Sequence, residues 1–191
     1  MIIANSCSGG FCYQNKELNI HYQYNNPFVG CTIFAKDWKL LLQNFEHFNW
    51  FNIKINQDVY PLNNEVHYYI ILDNQIKIWF IHYDSEDIIK ERWINRTQRL
   101  VSFLKNNTNW KDKILFISTP YKTDNEIDLI DIAKKFPDLK QIIDIYLREK
   151  LYRNIIPSKN TILFNKRSRK MINFSNYVIS NFFDYIKNDC E

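Results

Sequence analysis

The stretch 65-EVHYYIILDNQIKIWFIHY-83 decides the fold. Residues 65–72 and 75–83 are two runs rich in Ile, Tyr, Phe and Trp, set on either side of Asp73-Asn74. Aromatic and β-branched side chains suit the pleated surface of a strand, and Asp-Asn marks a turn. The pattern predicts an antiparallel hairpin. The chain then reads 84-DSEDIIKERWINRTQRLVSFL-104. Asp84-Ser85 reads as a helix cap, with Glu86 and Asp87 in the first turn and Arg92, Arg96 and Arg99 further on. Acids first and bases later suit the helix dipole. Ile89, Trp93, Leu100 and Leu104 make one apolar stripe at helical spacing.

Outward from this centre, strands and helices alternate. Residues 2–5 read as a short buried strand, followed by a loop over 6–10 and a helical turn over 11–18. Residues 36–49 carry Trp38, Leu41, Leu42, Phe45 and Phe48 at the spacing of an amphipathic helix. Residues 113–118, 140–146 and 160–164 read as strands. A helix over Glu126–Lys135 stops at Phe136-Pro137, and residues 175–187 read as a closing amphipathic helix. The alternation predicts an α/β fold: a single-domain layered sandwich over residues 1–191, with a mixed, largely parallel sheet and a β-hairpin.

Composition narrows the function. A net charge of +4 over 191 residues is too mild to predict nucleic-acid binding. The 16% aromatic content supplies a large core and argues against disorder. Cys7, Cys12, Cys31 and Cys190 have neither metal-ligand spacing nor a disulfide framework. With no signal-like start and no run of about 20 apolar residues, this predicts a reducing, cytoplasmic setting without a membrane span. No metal and no cofactor is expected, and the oligomeric state is not legible.

Three segments could carry chemistry. The first is 2-IIANSCSGGFCYQ-14, which holds two of the three glycines, Gly9 and Gly10. A glycine turn between strand and helix can bring backbone N–H groups to an anion, with Asn5 and Ser6 beside it. A plain tight turn is the simpler reading, and Cys7 reads as a thiol without a placed base. The second is residues 80–99. His82 and Tyr83 end a strand, Ser85 and Glu86 open a helix, and Arg92, Arg96 and Arg99 border its buried face. Arg forks suit phosphate or carboxylate, and His82 or Glu86 could serve as a general base. Set against this, arginines also snorkel over a core, and a first-turn Glu also serves the dipole. Arg96, nearest the stripe, is expected to be partly buried with an anionic partner. The third is 164-FNKRSRKM-171, which reads first as a solvated basic loop.

These residues resemble a bacterial family of unknown function described as exopolysaccharide-biosynthesis or glycosyltransferase-like proteins. The family's Asn-x-Cys-x-Gly-Gly-Phe is similar to Asn5, Cys7, Gly9, Gly10 and Phe11, with Ser8 where an aromatic is common. Asn26-Pro27-Phe28-Val29-Gly30 and Tyr60-Pro61 resemble two further motifs. His82, Tyr83, Ser85, Glu86, Trp93, Arg96 and Arg99 resemble the most specific one, with Asn95 where a basic residue is frequent. The resemblance implies a transferase of cell-surface polysaccharide or glycoprotein synthesis, working in the cytoplasm or near the inner face of the membrane. Its partner would be a nucleotide sugar or phosphorylated glycan precursor. The alternative is a non-catalytic nucleotide-sugar- or glycan-binding subunit. A weaker third reading is an acyl or other transferase using Cys7 or His82. If the strands before Gly9 and after Gln75 are parallel neighbours, their two turns open on one edge.

Overall fold

The computed structural model describes residues 1–6, 26–121, 126–145, 160–165 and 170–172. The expected helices at 11–18 and 175–187 lie outside these residues, as do Cys7, Gly9, Gly10, Cys12 and Cys190.

β1 (Ile2–Ala4) pairs in parallel with β5 (Leu115–Ser118), Ile3 opposite Phe116. β6 (Lys140–Ile145) and β7 (Thr161–Asn165) extend the sheet in parallel, and β8 (Lys170–Ile172) closes it antiparallel to β7. The order is β1-β5-β6-β7-β8. It is mixed and largely parallel, as the alternation predicts. Its antiparallel member is β8, however, and not the hairpin. The ends of the basic run 164–171 are strand, since Phe164 and Asn165 pair with Met171 and Lys170, and residues 166–169 lie outside the described residues.

The hairpin stands in a second sheet. β3 (Val66–Leu72) and β4 (Ile76–Phe80) flank a turn whose central residues, Asp73 and Asn74, have φ of 50° and 57°. Both are left-handed, and Gln75 N–H donates to Leu72 O at 3.0 Å. This turn type matches the twist of its strands. β2 (Ile53–Val59) adds to β3, giving the order β2-β3-β4. Asp73 also anchors the entry to β2, accepting from Asn52 Nδ2 (3.0 Å) and Asn49 N–H (3.3 Å).

Helices and both sheets share one core. α1 (Ala35–Asn44) buries Trp38, Leu41 and Leu42 against β4, and α4 (Glu126–Lys135) packs on β6 and α1. α2 (Glu86–Asn106) buries Ile89, Trp93, Thr97 and Leu100, while Leu104 is only partly covered. The four-residue α3 (Trp110–Lys113) leads into β5. One cluster joins Ile3 and Phe116 of the first sheet, Ile70, Leu72 and Ile78 of the second, and the buried faces of α1, α2 and α4. Its centre is aromatic: Trp50 meets Phe28, Phe45 and Phe48 at 5.9, 5.2 and 5.4 Å, and Trp93 Nε1 donates to Trp50 O at 2.9 Å. On the other face of the parallel sheet lie Ile2, Ala4, Leu115 and Ile117.

The sheets meet through residues 31–33. Thr32 and Trp79 exchange backbone hydrogen bonds at 2.9 Å, and Ile33 N–H donates to Asn5 O at 2.8 Å. β4 is therefore not a parallel neighbour of β1, and the expectation that two parallel strands open on one edge is corrected. The two strand ends approach each other across this short connector instead.

Candidate functional site

The first half of the site is the carboxyl edge of β1 and β5. Each of these apolar strands runs into small polar residues, Asn5-Ser6 and Ser118-Thr119. The parallel register sets them side by side. Asn5 is fully buried: its Nδ2 donates to Thr119 O at 3.0 Å and its Oδ1 accepts from Thr119 N–H at 2.7 Å. Ser6 Oγ bonds Thr119 Oγ1 at 3.2 Å. Tyr121 Oη donates to Asn5 O at 3.0 Å and lies 3.3 Å from Thr32 Oγ1, while Trp38 Nε1 donates to Ser118 Oγ at 2.7 Å. Buried polar groups need such partners. Asn5 therefore spends both ends of its amide on holding two strand ends together. Half-buried Phe34 and Tyr121, 5.4 Å apart, flank this hydroxyl group.

The second half is the β4–α2 turn. His82 and Glu86 are exposed, and Tyr83 and Ser85 are half-buried. Ser85 occupies the cap position without a side-chain cap bond; its carbonyl accepts the Ile89 N–H at 3.2 Å. The expected cap at Asp84-Ser85 therefore holds in position only, since that bond is the first ordinary backbone bond of the helix. Tyr83 packs edge-on to Phe80 at 5.5 Å, and Arg92 Cζ lies 5.0 Å from the Tyr83 ring centre. Asp84, Glu86 and Asp87 all crowd the start of α2. Their charge opposes an anion there, so the helix N-terminus is not a phosphate site in its own right.

The three arginines part company along α2. At 1.5 Å per residue, Arg92 lies about 9 Å from Glu86 along the axis, Arg96 about 15 Å and Arg99 about 20 Å. Arg96 is half-buried, as its place beside the stripe predicts, but its partner is no anion: Nη1 donates to Val29 O at 2.7 Å. Among the described residues no carboxylate pairs with Arg92 or Arg96. Arg99 lines a separate groove of about 580 Å³ with Met1, Asn95, Gln98 and Phe103.

Segment 26–33 joins the halves, and only the motif resemblance marked it in the sequence. Asn26 is buried; its Nδ2 donates to Ile2 O at 2.5 Å and its Oδ1 accepts from Phe28 N–H at 3.0 Å. Gly30 has φ of +81°, and a Cβ there would lie 3.4 Å from Tyr83 Oη. Among the described residues this is the glycine whose left-handed backbone, rather than lack of space, calls for one. The corresponding expectation for Gly9 and Gly10 falls outside them. Sequence reasoning also passed over Thr32, Thr119 and Tyr121. A signal was present: 115-LFIST-119 ends as 2-IIANS-6 does, in a polar pair after apolar residues. Cys31 is buried and its Sγ donates to Pro27 O at 3.3 Å, so it is a packing thiol.

Among the described residues no three His, Cys, Asp or Glu side chains converge as metal ligands, and no helix is long and apolar enough to cross a membrane. A family described only as a domain of unknown function, DUF1919, matches residues 1–188. An uncharacterized protein of Haemophilus influenzae is 26% identical over 146 residues, which is 73% of this chain and 64% of that protein. The chain thus spans just under two thirds of that relative's length. No solved structure matches.

Proposed function

The chain belongs to the DUF1919 family, whose description assigns no reaction, so the site's own chemistry has to carry a functional reading. We propose that the protein binds a nucleotide sugar or related phosphorylated glycan precursor at the β4–α2 turn, beside the carboxyl edge of β1 and β5. The observation that carries this is Arg92. Its guanidinium is exposed and stacked on Tyr83, with no carboxylate against it among the described residues. Stacking orients the fork and leaves its N–H donors for a phosphate. Glu86, Asp84 and Asp87 repel phosphate but accept hydrogen bonds from sugar hydroxyls. The ligand therefore runs with its phosphate toward Arg92 and its sugar toward Glu86.

A second reading adds catalysis, favoured by the exposure of both His82 and Glu86 on one short turn. In a glycosyltransferase-like step, one of them takes the proton of the acceptor hydroxyl. The acceptor oxygen bonds to the anomeric carbon, the bond from that carbon to the diphosphate breaks, and the diphosphate leaves along Arg92. The setting in cytoplasmic cell-surface polysaccharide synthesis rests on the motif resemblance of residues 82–99.

A thermal-shift series with nucleotide sugars tests the binding reading. Ligand at a hundred times its Kd stabilises by about 2.7 kcal/mol. Arg92→Ala should lose most of that gain, and Arg99→Ala should keep it. A gain unchanged in Arg92→Ala, or no gain with any nucleotide sugar, defeats the proposal.

A further inference from the structure

The two edges of the three-stranded sheet are treated differently. The outer side of β4 is met by Thr32 through its bridge to Trp79. The outer side of β2 meets no strand among the described residues. The β2–β3 register runs unbroken from Ile53↔Leu72 to Val59↔Val66, without a bulge to blunt the edge. Proline, another common edge guard, is missing from β2 itself, and Pro61 lies just beyond its end.

Parity shows which groups point outward. Just beyond the strand ends, Tyr60 N–H donates to Glu65 O at 2.8 Å and Asp73 N–H to Asn52 O at 2.7 Å. Antiparallel pairs alternate between bonded and non-bonded. Even-numbered residues of β2 therefore bond to β3, and Ile53, Ile55, Gln57 and Val59 turn their N–H and C=O groups outward. Lys54, Asn56 and Asp58 are exposed on one face. On that face Lys77 Nζ lies 3.1 Å from Asp58 Oδ2 and over the rings of Tyr69 and Trp79. Val59 and Val66, opposite each other, are 51% and 64% exposed at the strand's far end.

We propose that β2 is a self-pairing edge: two copies of this chain join antiparallel about a two-fold axis at Asn56 and extend both hairpin sheets into one. Parity requires odd-numbered residues to pair with odd-numbered ones, and among such registers the one centred on Asn56 brings opposite charges together. That register makes Ile53 with Val59 of the second copy, and Ile55 with Gln57, the hydrogen-bonded pairs. It sets Lys54 opposite Asp58 of the second copy in the closer, non-bonded position. Symmetry repeats that opposite-charge contact, so the strand is complementary to itself. Exposed Val59 then packs beside Ile53. The one outward group already satisfied within the strand is Val59 N–H, which donates to Asp58 Oδ1 at 2.8 Å. Pairing exchanges that bond for Ile53 O and leaves the carboxylate to Lys54 and Lys77.

Sedimentation velocity across a wide concentration series tests this, with circular dichroism and melting as controls for folding. The wild-type chain should dimerise. Lys54→Asp places like charges opposite at both symmetric contacts and should weaken the dimer about tenfold or more. The exchange Lys54→Asp with Asp58→Lys should restore it. Gln57→Pro removes an outward N–H without touching the β3 ladder and should give a folded monomer. If Gln57→Pro fails to fold, the exposed charge variants decide alone. A wild-type chain that stays monomeric, or a dimer whose strength ignores the Lys54→Asp change, overturns the proposal.

Discussion

The end of β1 and the end of β4 lie on either side of the connector at residues 31–33, and their polar side chains are used in opposite ways. Asn5 and Ser6 are buried, and both are bonded to Thr119. His82, Glu86 and Arg92 face solvent, and Arg92 rests on an aromatic ring. Both ends read alike in the sequence, as polar residues after a strand. Burial separates them: a buried amide must be satisfied by the fold, whereas an exposed cation on a rigid platform keeps its donors for something else.

The largest expected effect lies at the buried end. Asn5→Ala strips partners from both the N–H and the C=O of Thr119 and leaves them buried. Unfolding in urea should show a loss of about 3 kcal/mol. A loss below about 1 kcal/mol would mean that water or neighbouring groups replace the amide. Next comes the connector. Gly30→Ala forces a side chain into a left-handed backbone with Tyr83 Oη 3.4 Å away. It should cost about 1–2 kcal/mol. Tyr83→Ala combined with it should recover only the contact share of that loss, because the backbone strain remains.

Arg96→Lys sharpens the comparison between the arginines. The half-buried guanidinium donates to Val29 O, and Lys keeps the charge without the fork. A loss of about 1 kcal/mol with ligand binding intact marks Arg96 as a fold arginine. The exposed residues should move stability least. His82→Ala and Glu86→Gln should stay within about 0.5 kcal/mol of wild type while weakening the ligand-induced thermal shift.

Acid titration offers an independent check on the packing of α1 against β4. Burial pushes the Asp37 carboxyl above its ordinary value, offset in part by the Lys77 N–H it accepts and by the charges of Lys36 and Lys77. The folded protein thus holds this proton more tightly than the unfolded chain. Stability should fall as pH rises from the ordinary carboxylate value through the raised one. Asp37→Asn should flatten that segment of the profile, and an unchanged slope would place its origin elsewhere.

Much of this architecture was legible because it is local. The hairpin, α2 and α4 follow from periodicity and turn chemistry within windows shorter than 25 residues. β2 was not legible. Its sequence IKINQDV alternates for only two apolar residues before turning polar, because its far end overhangs the core and stays exposed. Nor could sequence say which sheet β4 would join, since Thr32↔Trp79 is a long-range pairing. At the site, the residue types at 82–99 were readable but their separation was not. Helical angle placed Arg92, Arg96 and Arg99 on one border. Rise along the axis gave Arg92 to Tyr83, Arg96 to Val29 and Arg99 to another groove.

Hydrogen exchange with and without a saturating nucleotide sugar tests the central claim most directly, because it reports where the ligand sits. The account predicts slowed exchange at the backbone amides of residues 82–92, with little change over residues 95–107. Protection centred on residues 95–107, around the groove of Arg99 and Met1, would contradict it.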